Sequence, residues 1–148
     1  MDSHITSSSP EETIQLGRKI GAQLKGGEII ALSGPLGSGK TYLIKGIAAG
    51  AGAENMQQVN SPTFVIVNQY SGRFEIYHVD AFRLKSQEEF EMVGFDELCG
   101  PGSVVLIEWA DKVASALAKV DCIGIKILHG GVTSREIIIS NTPTHIKL

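Results

Sequence analysis

Two periods of apolar residues alternate along this chain. After a polar opening (residues 1–10, MDSHITSSSP), Leu16, Ile20 and Leu24 recur every four residues, the spacing of a helix with one buried stripe. The start of that helix is legible just before it. Ser9 can cap, Pro10 suits the first helical position, and Glu12 completes a capping box. Gly17 and Gly21 lie beside the stripe and permit close packing, and Gly26-Gly27 is the expected end. Residues 28–33 (EIIALS) form a short apolar run of strand type, buried on both faces if its sheet is parallel. A glycine-rich loop follows. Behind it a second helical pattern turns Leu43, Ile44, Ile47 and Ala48 inward and stops at Gly50 and Gly52.

Residues 64–70 and 73–80 read as two strands joined by Ser71-Gly72, a hairpin signal. Residues 86–98 predict an irregular helix, Gly100-Pro101-Gly102 a break, and residues 104–108 a buried strand. A short helix is expected over 112–119. Residues 122–128 and 135–140 alternate in polarity around Gly130-Gly131, which predicts an antiparallel pair. The pattern is that of a single α/β domain over 1–148 with a mixed sheet, preceded by a flexible stretch at 1–9.

Composition narrows the task. At 148 residues and 43% hydrophobic, the chain can bury one core but not two domains, nor a core plus a separate lid. The net charge of −3, from 13 basic and 16 acidic residues, argues against strong direct nucleic-acid binding. No segment approaches the roughly 18 apolar residues of a membrane helix, and the opening lacks a signal peptide's apolar stretch. Cys99 and Cys122 form no CxxC motif, so both read as reduced thiols in a cytoplasmic protein.

The strongest chemical signal is Gly34-Pro35-Leu36-Gly37-Ser38-Gly39-Lys40-Thr41, a complete G-x-x-x-x-G-K-[ST]. Glycines let backbone N–H groups approach phosphate oxygens without a Cβ clash, and the following helix points its positive end at the anion. Lys40 can bridge the outer phosphates and the Thr41 hydroxyl can ligate Mg²⁺. Because the loop lies between a predicted strand and a predicted helix, the expected architecture is a P-loop NTPase-like three-layer domain with a mixed, partly antiparallel sheet. Such a site also needs a carboxylate at a strand end. Asp80 and Glu108 each end an apolar strand, and spacing leaves both open as the metal ligand.

Other residues read ambiguously. Thr63 follows Pro62 and reads first as an ordinary β-former, with a nucleotide-sensing switch as the chemical alternative. His78 alternates with Phe74 and Ile76 and reads as a packed histidine; Arg83 reads as a surface cation. Trp109, the single tryptophan, fits core, nucleotide contact or partner anchor. The chain lacks the Asn-Lys-x-Asp that reads guanine and any arginine-rich lid, which favours ATP over GTP and hydrolysis over kinase chemistry.

Taken together, residues 34–41, VNSPTF at 59–64, YHVDAFRL at 77–84 and LIEW at 106–109 resemble the TsaE (YjeE) family, over roughly residues 11–140. These are bacterial P-loop ATPases of threonylcarbamoyladenosine (t6A) tRNA modification. The resemblance implies an ATPase that supports turnover by the TsaD transferase and its TsaB partner, with tRNA engaged through that complex. It implies ATP and Mg²⁺ as cofactors, with the nucleotide held by Gly34, Leu36, Gly37, Ser38, Gly39, Lys40, Thr41 and Tyr42. Thr41 and Glu108 would hold Mg²⁺, with Asp80 supporting Thr41 or the metal, and Thr63 becomes the switch residue. Lys40, Thr63, Asp80 and Glu108 then form the catalytic set. Trp109 and Arg83 would lie near the nucleotide or the partner. Glu11, Thr13 and Arg135 would lie on the adenine side. The chain departs from the family at Phe82, where Tyr is usual, at Ala110 for Pro, and at Pro35 for Asp or Glu. A competing reading is a nucleotide-gated interaction module, in which ATP binding rather than hydrolysis drives complex assembly.

Overall fold

In the computed structural model, which describes residues 2–35, 37–53, 67–84, 87–92 and 94–148, seven strands share one sheet. In chain order the elements are β1 (Ser3–Ser7), α1 (Pro10–Ala22), β2 (Ile29–Ser33), α2 (Lys40–Gly50), β3 (Val67–Ser71), β4 (Glu75–Asp80), α3 (Gln87–Met92), α4 (Phe95–Leu98), β5 (Ser103–Glu108), α5 (Ala114–Leu117), β6 (Ile123–His129) and β7 (Arg135–Ser140). The order across the sheet is β1-β7-β6-β2-β5-β4-β3. The four inner strands β6, β2, β5 and β4 run parallel, and β3, β7 and β1 add antiparallel edges.

The alternation of the inner strands divides the core into two layers. Ile30, Leu32, Val104 and Leu106 face one side, where Ile20 and Leu24 and the α2 residues Leu43, Ile44 and Ile47 cover them. Ile29, Val105 and Ile107 face the other, against Phe90, Phe95 and Val113. The three-layer α/β architecture with a mixed sheet is therefore present. Among the described residues no helix is long and apolar enough to cross a membrane.

Local signals act as the residue types require. Ser9 caps α1 by accepting from the Glu12 N–H at 3.1 Å, with Pro10 in the first turn. The Glu12 carboxylate accepts from the Ser8 N–H at 2.6 Å, so the reciprocal half of the box reaches one residue further back than expected. Helix α1 stops at Ala22, before the Gly26-Gly27 pair, whose left-handed φ values belong to the loop beyond. The expected helix at 112–119 is a 3-10 turn, Ala110–Val113, running into α5. The hairpin across Ser71-Gly72 pairs β3 with β4 from the described Val67 onward.

Within the stretch expected to be flexible, Ser3–Ser7 form a strand: Ser3 pairs with Ile139 and Ser7 with Arg135 in an antiparallel ladder. Ile5 packs against the core, and the buried Ser7 hydroxyl lies 2.7 Å from that of Thr13. A single apolar residue in five supplies too little hydrophobic signal to announce a strand. What orders it is the backbone edge that β7 offers.

Helices α1 and α2 lie side by side and parallel. Ile14 faces Gly46, Gly17 faces Leu43 and Gly46, Arg18 faces Gly50, and Gly21 faces Ile47 and Ala51. A Cβ on Gly17, Gly21, Gly46 or Gly50 would enter the facing helix's backbone. Arg73, just past the β3–β4 turn, donates to Gly50 O at 2.7 Å and Gly21 O at 2.8 Å, satisfying carbonyls at the ends of both helices. Gly46→Ala is expected to destabilise the fold by about 1–3 kcal/mol through overpacking, although alanine is favoured over glycine in a helix by about 1 kcal/mol. Urea denaturation checks this; a more stable variant would refute the backbone contact.

Candidate functional site

The loop after β2 emerges at the carboxyl ends of the parallel strands, where α/β sheets place ligand sites. Register brings two acids to the same end: Leu32 of β2 lies opposite Glu108 of β5, which lies opposite Asp80 of β4. Both acids are buried, at 4% and 6% exposure. The loop glycines Gly34, Gly37 and Gly39 all take positive φ. Gly39 is the N-cap of α2 and provides no side-chain cap, and the first turn carries no acidic residue. That helix start, with neither a side-chain cap nor an acid, presents a partial positive charge suited to an anion.

Lys40 occupies the centre. Its Nζ donates to Gly34 O at 2.7 Å and Pro35 O at 3.0 Å, and lies 3.9 Å from the centroid of the Trp109 ring. Burial pushes the Lys40 ammonium below the usual lysine range, against the pull of negative charge at Glu108, Asp111 and Asp80. Trp109 reaches this position because it takes a left-handed conformation, φ 61°, at the end of β5. Trp109 also meets the exposed Phe82 ring, 4.9 Å between centroids, and Lys112 Nζ lies 4.9 Å over Phe82. Asp80 caps the 3-10 turn after β4 by accepting from the Phe82 N–H at 3.0 Å.

Gly37, Ser38, Gly39, Lys40, Thr41, Tyr42, Glu108 and Trp109 line one cavity of about 210 Å³. Larger cavities exist, including one of about 360 Å³ lined by Glu28, Cys122, Thr142 and His145 at the other end of β2 and β6. Size does not single out the site; the convergence of a buried cation, two buried acids and an uncapped helix start does.

Arg135 meets the loop from its carbonyl side. At the start of β7 its Nε donates to Ser38 O at 3.0 Å and Nη2 to Gly37 O at 3.3 Å, while Nη1 binds Ser134 O at 2.9 Å. It fastens the outside of the loop and so favours the inward aim of the N–H groups. Because α1 parallels α2, the exposed Glu11 and the buried Thr13 lie at the end of α1 nearest the start of α2. The Thr13 hydroxyl meets Ser7 and the Ser9 carbonyl at 3.3 Å. Leu36 and Thr63 lie outside the described residues. Arg83 closes the 3-10 turn after Asp80.

His78 is packed, as its alternation with Phe74 and Ile76 predicts, and it also meets an acid that the spacing does not announce. The ring is fully buried and its Nε2 lies 3.1 Å from Glu108 Oε1. The available clue was its position two residues before Asp80 on the same strand face.

Comparison with known proteins bears on this arrangement. Residues 7–137 match the family model "Threonylcarbamoyl adenosine biosynthesis protein TsaE". A tRNA threonylcarbamoyladenosine biosynthesis protein TsaE from Treponema pallidum is 36% identical over 135 residues, 90% of this chain and 97% of the relative. The protein of the same name from Bacillus subtilis is 38% identical over 130 residues, 87% of this chain and 79% of the relative. The crystal structure of Bacillus subtilis YdiB superposes with a TM-score of 0.70 at 28% identity, covering 94% of this chain and 84% of that one.

The electrostatics make a prediction independent of any ligand. With its folded-state pKa depressed, Lys40 releases its proton before the unfolded chain does, so stability rises with pH across that interval. Lys40→Met is accordingly expected to melt higher than wild type at neutral pH, with the gap narrowing as pH rises toward the ordinary lysine value of 10.5. Thermal melts of both proteins across that range check it. A gap that widens with pH would refute the depressed pKa.

Proposed function

The chain belongs to the TsaE family, the threonylcarbamoyl adenosine biosynthesis proteins, and from that premise we propose that it is a Mg²⁺-dependent ATPase. It acts with the TsaB–TsaD complex to support repeated rounds of t6A modification in the cytoplasm, with tRNA held by the complex. The observation that carries this reading is the buried Lys40 ammonium, held inside a positive-φ glycine loop and next to two acids on neighbouring strand ends.

The residues fit the ligand. The uncapped start of α2 and the loop N–H groups suit the phosphates, and Lys40 exchanges the Gly34 and Pro35 carbonyls for phosphate oxygens. Among the described residues no cluster of three or more His, Cys, Asp or Glu side chains could hold a metal. Mg²⁺ in a phosphate loop does not need one, because substrate phosphates and water complete its six ligands. Thr41 and Glu108 would supply the protein ligands. Asp80, whose Oδ1 already accepts from Phe82 N–H, supports that pair. When bound, Mg²⁺ neutralises charge on the phosphates.

The remaining work belongs to the protein: the loop orients the phosphates, Arg135 holds the loop, and Trp109 covers the Lys40 side of the cavity. The described site presents no obvious general base, so catalysis rests on positioning and charge stabilisation, with Thr63 proposed as the nucleotide-sensing residue. Glu11 and Thr13, at the nearby end of α1, are proposed to border the adenine.

Two measurements test the reading. Lys40→Ala is expected to weaken ATP binding or turnover by about ten- to a hundred-fold, from about 1.5–3 kcal/mol per charge-assisted contact. Unchanged ATP binding and hydrolysis would remove Lys40 from the site. Reconstituted t6A synthesis over several turnovers by TsaB and TsaD is expected to require both this protein and ATP. If a non-hydrolysable analogue served equally well, ATP-driven assembly would replace hydrolysis as the function.

A further inference from the structure

Glu108 also meets a buried histidine on the neighbouring strand. His78 lies on β4 in line with Ile76 and Asp80, on the face that α2 covers. Register sets it opposite Leu106, one pleat before the Asp80–Glu108 pair, so its ring reaches diagonally to Glu108. The side chain has no exposed surface, and Nε2 approaches Glu108 Oε1 to 3.1 Å. Its other nitrogen, Nδ1, is buried with no hydrogen-bond partner among the described residues.

Those two facts define the tautomer. An ionised carboxylate only accepts hydrogen bonds, so the nitrogen facing Oε1 must carry hydrogen. A hydrogen on Nδ1 instead would bury an unpaired N–H and set the Nε2 lone pair against a carboxylate oxygen. An unpaired N–H in the interior costs more than an acceptor left unused. The ring therefore faces Glu108 with an Nε2–H donor and turns Nδ1 toward the interior.

We propose that His78 is a positioning residue for the Mg²⁺–nucleotide site: its Nε2–H holds the Glu108 carboxylate in the orientation that faces the glycine loop. Glu108 is then preset before the metal arrives, and the cost of ordering its three side-chain torsions is met in folding rather than in binding. Hydrogen bonds of this kind to a ligating group typically carry about ten- to a hundred-fold in metal affinity. The inference rests on the ATPase reading of the preceding section.

The test measures ATP affinity of the intact protein with and without Mg²⁺, alongside the ring tautomer. His78→Leu is expected to reduce the gain in affinity that Mg²⁺ confers by about ten-fold or more, leaving Mg²⁺-free ATP affinity within about two-fold. His78→Gln, whose amide nitrogen falls near the place of Nε2, should keep most of the gain; His78→Asn, with the amide set back, should lose it. In a Glu108→Gln background the His78→Leu change should have no further effect on the Mg²⁺ gain. In the ligand-free wild type, long-range ¹H–¹⁵N correlation should show hydrogen on Nε2.

A full Mg²⁺ gain in His78→Leu, an equal loss persisting without the Glu108 carboxylate, or an Nε2 that carries no hydrogen would each overturn the proposal. Were His78→Leu to unfold, the Gln and Asn variants carry the same comparison. Wild-type ATP binding that ignores Mg²⁺ would overturn the ATPase reading and, with it, the metal role of His78, whereas the nitrogen spectrum decides the hydrogen bond by itself.

Discussion

Two helices laid parallel, backbone against backbone, are the constraint on which the rest of this molecule depends. Parallel helices bring like dipole ends together, an arrangement that needs compensation at both ends. At the carboxyl ends a single cation, Arg73, meets Gly21 O and Gly50 O. At the amino ends the two helices differ. Helix α1 has a serine cap and two glutamates in its first turn, so its positive end is satisfied. Helix α2 has a glycine there and no acid, so its positive end is left for a ligand. The glycines at 17, 21, 46 and 50 make the pairing close enough to hold α2 in place.

The charges at the sheet's carboxyl edge follow from that placement. A lysine at the first position of α2 is aimed back over the loop, toward strand ends carrying Glu108 and Asp80. Without a ligand the ammonium lies among carbonyl oxygens and an indole face, contacts weaker than a phosphate would offer. The fold thus holds a cation at a cost, as functional sites commonly do. Phe82 meets Trp109 through its ring, tilted at 47° with 4.9 Å between centroids.

Much of this could be read from the sequence because the chemistry binds residue types to short offsets. The phosphate loop, the caps of α1, the turn at Ser71-Gly72 and the acids ending apolar strands are all local patterns. What escaped was non-local or weakly apolar. Strand β1 has one large apolar residue, and only its partner strand explains it. Arg135 touches carbonyls 97 and 98 positions away, a contact that no spacing announces. The His78–Glu108 bond spans 30 positions and follows from the register of two strands. Resemblance assigned Arg135 to the adenine side, whereas its described bonds all go to backbone carbonyls.

Strand β1 has a consequence beyond the ladder it completes. Its last residue, Ser7, is paired with Arg135, the residue that fastens the phosphate loop from outside. Were β1 to peel away, every loop residue would stay in place in the chain, but β7 would become a bare edge, and its anchoring arginine would lose one flanking strand. A bare edge is a template for a strand from another molecule. The polar β1 thus takes the edge position that β7 would otherwise hold, and it lies directly against the arginine that fastens the glycine loop.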